Sequence, residues 1–171
     1  MDPKPPTPDG ARALVRLAAG LDPPMAIVTT READGSPTGC LVGFWTQCSI
    51  HPGRVLVCVS KANHTYPAAD RAEVLAVHYL GGEDRSLAEL FGGETGDEVD
   101  KFERCSWRPG PADIPVIDGV KGWVAGPVVG KLDAGDHVAL VVEARWGAVN
   151  EPGPGELGFQ AVKDIDPGHE A

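Results

Sequence analysis

The chain contains no apolar run approaching the ~20 residues of a membrane span, and its start, "MDPKPPTPDG", lacks a signal-peptide pattern. These absences lead us to expect a cytoplasmic protein with no membrane partner. Basic residues are scarce: 15 Lys and Arg face 25 Asp and Glu, for a formal net charge of -10. Such a surface repels nucleic acid, so no nucleic-acid partner is expected. A small phosphorylated ligand remains admissible, because it needs only one local basic pocket. Cysteine pairs are missing as well. Cys40, Cys48, Cys58 and Cys105 sit in or beside apolar stretches without C-x-x-C spacing. That argues against zinc and, in a reducing compartment, for buried free thiols. The chain also has no G-x-x-x-x-G-K-[ST], G-x-S-x-G or H-E-x-x-H. Its five histidines are isolated, each read first as a surface or hydrogen-bonded core residue.

What is present is a turn-rich chain. Its 22 Gly and 16 Pro punctuate short apolar runs, a pattern that suits β-structure better than a helical bundle. At 171 residues, 42% of them apolar, it has the size for one domain with a real core. We read 1–9 as a leader, 10–149 as the domain and 150–171 as a Pro/Gly-rich tail with a weak strand at Leu157–Val162. "DGARALVRLAAG" predicts a helix capped by Asp9, with Leu14, Leu17 and Ala18 on one face and Gly20 as its stop. "MAIVTTREADGSPTGCLVGFW" predicts a hairpin around Asp34-Gly35, and "RVLVCVS" a strand covered on both faces. "TYPAADRA" predicts a short helix with Thr65 as N-cap, "EVLAVHYL" a strand, and "EDRSLAELF" a helix capped near Asp84 and ended by Gly92-Gly93. "PVIDGVKGWVAGPVVGKLD" and "GDHVALVVEARWGAV" predict two long strands. Six or so strands, mostly hairpin-connected and with two or three inserted helices, fit a small, largely antiparallel barrel.

Two strand exits are unusually polar: Thr46-Gln47-Cys48-Ser49, and Ser60-Lys61-Ala62-Asn63-His64-Thr65. The second leads into a helix N-terminus, where backbone N–H groups favour a phosphate and Lys61 or His64 adds charge. The first offers hydroxyl, amide and backbone groups suited to the edge of a flat heterocycle. Residues of these types also make ordinary caps and turns, and composition alone favours that plainer reading. Trp45, beside the first exit, reads as a core residue before a stacking one.

The order of motifs resembles the flavin reductase-like family. The likeness rests on "AIVTTREADGSPTGCLVGFWTQCSIHPGRVLVCVSKANHTYPAA" and continues through "LAELFGG", "DKFERCSW", "PVIDGVKGWVAG" and "DAGDHVALVVEA". It implies an FMN-binding split β-barrel, mostly β with short helices, working as a homodimer with flavin near the subunit interface. It also implies NAD(P)H:flavin reductase activity, with FMN as cofactor (FAD the alternative) and NAD(P)H as co-substrate. Reduced flavin would then go to oxygen, to a bound acceptor or to a partner monooxygenase. Under this resemblance Thr46, Gln47, Cys48 and Ser49 line the isoalloxazine and ribityl chain, and Ser60, Lys61, Asn63 and Thr65 form the phosphate loop. Lys101 and Phe102 approach the flavin, and His137 lies where a nicotinamide stacks, as the catalytic candidate. "FGGETGDEVDKF" is more polar than the family's usual stretch and offers Gly96 and Asp97 as a cover for phosphate or ribityl. The alternatives are a flavin-binding electron-transfer or storage protein without nicotinamide activity, and a barrel that binds F420 or haem.

Overall fold

The computed structural model describes residues 8–169. Most of the expected leader lies outside them. Pro8 and Asp9 belong to helix α1 (Pro8–Ala18), so Asp9 is a first-turn residue bonded to Arg12 and not an N-cap. The predicted face of α1 has no partner among the described residues: Leu14 and Leu17 are 67% and 74% exposed.

Among the described residues ten strands form where the sequence suggested six or so. The hairpin is β1 (Ala26–Arg31) with β2 (Pro37–Val42), its turn made by Gly35 at positive φ. β3 (Trp45–Ser49) and β4 (Arg54–Ser60) follow, then helix α2 (Tyr66–Arg71), β5 (Val74–Tyr79) and helix α3 (Arg85–Gly93). The charged stretch after α3 folds as 3-10 turns and short strands, β6 (Trp107–Pro109) pairing β7 (Pro115–Ile117). The first predicted long strand breaks at Gly119, whose positive φ turns the chain into β8 (Gly122–Asp133). The second breaks into β9 (His137–Glu143) and β10 (Trp146–Val149).

Eight of these strands make one antiparallel sheet in the order β2-β1-β5-β8-β9-β4-β3, with β10 added on β8, and β6 with β7 forms a separate two-stranded sheet. β8 belongs to both halves. Gly122–Pro127 pair with β5, and Val128–Asp133 pair with β9 across a bulge at Val128/Gly130. The β9–β10 connection crosses back over β8 at Gly126, where an added Cβ would run into the Glu143 carbonyl oxygen. We expect Gly126→Ala to destabilise the protein by ~2 kcal/mol or more, because the obstacle is backbone with nowhere to move. A thermal or urea melt reads this, and an unchanged midpoint would contradict the crossing geometry.

Valines dominate the barrel interior. Val55, Val57 and Val59 from β4 meet Val138, Leu140 and Val142 from β9, together with Val28, Leu75 and Val77. β1 is buried on both faces because Met25 and Ile27 point the other way, into a second core with Phe91 of α3, Phe102, Leu157 and Val162. β4 is not covered on both faces as expected. Leu56 and Cys58 alternate with the inward valines and remain partly open. Only Cys40 of the four thiols is fully buried; Cys48 is exposed, and Cys58 and Cys105 are intermediate. The tail forms no strand at Leu157–Val162. It touches Pro24 through a single bridge at Gly158 and turns through a 3-10 helix (Phe159–Ala161) while burying Leu157 and Val162. A G-x-G-x-x-G spacing, Gly153 to Gly158, opens only that short turn and so makes no dinucleotide-binding βα unit. Among the described residues, no helix is long and apolar enough to cross a membrane.

Candidate functional site

β3 ends the sheet order, so one of its sides pairs with no strand among the described residues. Thr46, Gln47 and Cys48 are exposed on it, and the ladder is broken by a bulge between Gln47 and Ser49. The Thr46 hydroxyl donates to the Gln47 carbonyl, and the Gln47 amide to the Ser49 carbonyl, contacts that a ligand edge can replace. Trp45 is a packed residue: its indole N–H donates to Pro24 at 2.6 Å and its ring meets Tyr79 edge-on.

The second polar exit is a tight, internally bonded loop. The Ser60 hydroxyl accepts from the Ala62 N–H, and the Asn63 carbonyl oxygen of the side chain accepts from the Thr65 N–H at 2.9 Å. Thr65 holds the N-cap position of α2, yet its hydroxyl does not cap. It is buried and lies 3.1 Å from the Thr38 hydroxyl, so α2 starts without a side-chain cap and Asn63 instead holds the turn just before it. The Lys61 ammonium pairs with Asp133 at 2.8 Å, a contact that raises the lysine pKa and lowers that of the aspartate. Both ends of this pair lie on the surface, so an incoming anion can compete for the lysine at small cost.

The polar stretch after α3 does come to this loop. The Asp97 carboxylate lies 2.8 Å from His64 Nδ1, which together with Thr95 lowers its pKa. Gly96 permits this approach, since an added Cβ would fall 2.5 Å from the His64 ring. Asp100 accepts from the Phe102 N–H and starts the 3-10 turn Lys101–Glu103. That turn buries Lys101, whose ammonium donates to the Phe91 carbonyl at 3.0 Å and whose pKa is lowered by desolvation. Phe102 packs edge-on between Phe91 and Trp107. Gly96, Asp97, Lys101 and Phe102 line a cavity of about 280 Å³ together with Thr38, Glu32 and His64.

His137 faces Ser60 across the β4–β9 ladder. Its Nδ1 lies 2.7 Å from the Asp136 carboxylate, and its ring is tilted against Phe44 with centroids 5.2 Å apart. The fold therefore gathers Ser60, Lys61, Asn63, Thr65, Gly96, Asp97, Lys101, Phe102 and His137 at one end of the barrel. Thr46–Ser49 stand apart, because Thr46 pairs with Leu56, four residues before Ser60. At about 3.3 Å per residue, Thr46 lies roughly 13 Å from Ser60 along β4 and Ser49, opposite Arg54, roughly 20 Å.

The sequence model of the flavin reductase like domain matches residues 19–163. The chain belongs to that family. Among relatives of this flavin reductase-like protein is the reductase component of the flavin-dependent trigonelline monooxygenase of Acinetobacter baylyi. It is 28% identical over 117 residues, which are 68% of this chain and 37% of the relative. The stachydrine N-demethylase reductase subunit of Rhizobium meliloti is 26% identical over 86% of this chain and 62% of its own. The chain thus spans less than two thirds of the length of either. The crystal structure of a flavin reductase domain protein from Arthrobacter superimposes with a TM-score of 0.76 at 25% identity, covering 85% of this chain and 88% of that one. The split β-barrel implied by the sequence is the fold of this family member.

The residues fit a molecule with a phosphate at one end and a polar-edged ring at the other. The loop carries donors, the open edge of β3 carries both donors and acceptors, and an orphaned buried imidazole nitrogen, His169 Nδ1, adjoins the loop. Sequence reasoning missed Glu32, Phe44 and His169 as members of this region. No local signal marks His169, which reaches Asn63 from 106 residues away.

Proposed function

We propose that this protein is an NAD(P)H-dependent flavin reductase that binds FMN, with FAD as the alternative. The observation that carries the reading is the placement of two polar exits roughly 13 to 20 Å apart along β4, one a tight polar loop and the other an open strand edge. Bound flavin supplies a ring that accepts hydride from NAD(P)H and passes electrons onward. The protein's own part is to bind and orient. Ser60, Lys61 and Asn63 hold the phosphate, with Thr65 fixing the loop from beneath through Thr38. Thr46 to Ser49 meet the heterocycle edge, where backbone donors stabilise charge that develops on the ring. His137, held by Asp136 and flanked by Phe44, borders the space for the nicotinamide. Hydride transfer itself needs no acid–base pair.

A homodimer accounts for the two apolar surfaces that one copy leaves open, Leu14 and Leu17 on α1 and the outer side chains of β4. The relatives that are reductase components of oxygenases support a partner monooxygenase as the destination of the electrons. Absorption spectroscopy tests the core of the reading. The purified protein with FMN is expected to show a perturbed flavin spectrum that bleaches anaerobically with NADH or NADPH. Flavin that binds but stays oxidised would favour an electron-transfer protein, and no flavin binding would overturn the reading.

A further inference from the structure

The tail beyond the family match returns to the phosphate loop. Ile165 packs into the second core, and the Gly168 N–H donates to the Gly92 carbonyl at the end of α3. A side chain at Gly168 would come within 2.7 Å of the Glu94 backbone, so this seat requires glycine. It delivers His169 to Asn63, with Nε2 2.7 Å from the side-chain amide nitrogen.

The protonation of this imidazole follows from its neighbours. The oxygen of the Asn63 amide already accepts from the Thr65 N–H, so its nitrogen is the group that faces His169. An amide nitrogen only donates, so His169 Nε2 must accept, and the ring proton must sit on Nδ1. That Nδ1–H is buried and has no partner among the described residues. A buried donor left unpaired is unfavourable, and native structures rarely keep one without a reason. Burial, with Lys101 and His137 nearby, also lowers the pKa of His169, in keeping with a neutral ring. The missing partner is therefore an acceptor, on the side of the ring turned away from the Asn63 amide.

We propose that His169 is a phosphate-binding residue, its Nδ1–H donating to the phosphate of a flavin seated at the Ser60–Asn63 loop, so that the tail completes the site. The inference rests on the flavin reading above. It makes the tail a specificity element that distinguishes FMN from riboflavin, which has the same ring and no phosphate.

The test is titration of wild type, His169→Ala, His169→Gln and Gly168→Ala with FMN and with riboflavin, followed by flavin fluorescence, with a thermal melt of each protein. His169→Ala is expected to weaken FMN binding about tenfold, to leave riboflavin binding unchanged, and to melt as wild type does. His169→Gln, which can both accept from Asn63 and donate, should restore part of the affinity. Gly168→Ala, which unseats the tail without touching the imidazole, should reproduce the FMN loss. Equal FMN affinity in wild type and His169→Ala would overturn the proposal while leaving the flavin reading intact. So would parallel losses for FMN and riboflavin, which would make the tail a structural cover. Failure of the wild type to bind FMN would instead remove the flavin reading and this inference together.

Discussion

Acidification from pH 6.5 toward 4 is expected to strip on the order of 3 kcal/mol of stability through His78 alone. His78 is fully buried in β5. Its Nε2 accepts from the Ile117 N–H at 3.1 Å, so its proton sits on Nδ1, which donates to the Ile27 carbonyl at 3.0 Å. Both nitrogens are satisfied in the neutral form. A second proton would break the bond to Ile117 and place a charge in an apolar core. Burial, reinforced by Arg108, accordingly lowers its pKa from 6.5 to about 4. The unfolded chain binds this proton first, so stability is fully present above pH 6.5 and falls as pH drops through the window between the two values. Urea melts at several pH values read the slope. His78→Gln should be less stable at pH 7, and its stability should fall less steeply with acid. Identical slopes in the two proteins would show that His78 is not the group that titrates.

His137→Ala is the functional counterpart. The expected result is a tenfold to hundredfold slower anaerobic bleaching of bound flavin by NADH or NADPH, with FMN affinity within about threefold of wild type. Losing the side chain removes a wall held by Asp136 and Phe44 at the same end of the barrel as the loop. A nicotinamide that docks without this wall spends less time in a reactive geometry. Asp136→Asn keeps an acceptor for Nδ1, so its effect should be smaller. Stopped-flow absorbance separates the reduction step from flavin binding. A rate unchanged in His137→Ala, or a loss confined to FMN affinity, would take His137 out of the nicotinamide site and return it to the hairpin.

The contrast between His78 and His169 shows what a sequence reveals. His78 sits in "EVLAVHYL", where apolar neighbours mark a strand and leave a histidine no option but a bonded core position. His169 sits in a Pro/Gly-rich tail without periodicity, and only the completed fold brings it to Asn63. The β1–β2 hairpin, β4, β5 and α3 were legible for the same local reason as His78, each being an apolar run between turn residues. β10 was not. "EARWGAV" continues the β9 run with no Gly or Pro at the break, Ala144-Arg145, and the chain breaks there because it crosses to the other half of β8. The site divides in the same way. The loop residues and His137 could be proposed as candidates from their motifs. That the Thr65 hydroxyl turns inward to Thr38, that Lys101 is buried under Phe91, and that Asp97 grips His64 are outcomes of packing.

The double membership of β8 also bears on motion. Its 12 residues are hydrogen-bonded to β5 and β10 at one end and to β9 at the other, so neither half of the sheet can open without loosening the other. Slow amide exchange should therefore run through β5, β8 and β9 at a common opening free energy, as one cooperative unit. A molecule that tightens the β4–β9 end would then slow exchange in β5, a strand it never touches. The barrel would report occupancy of its ligand site in the solvent exchange of its far wall.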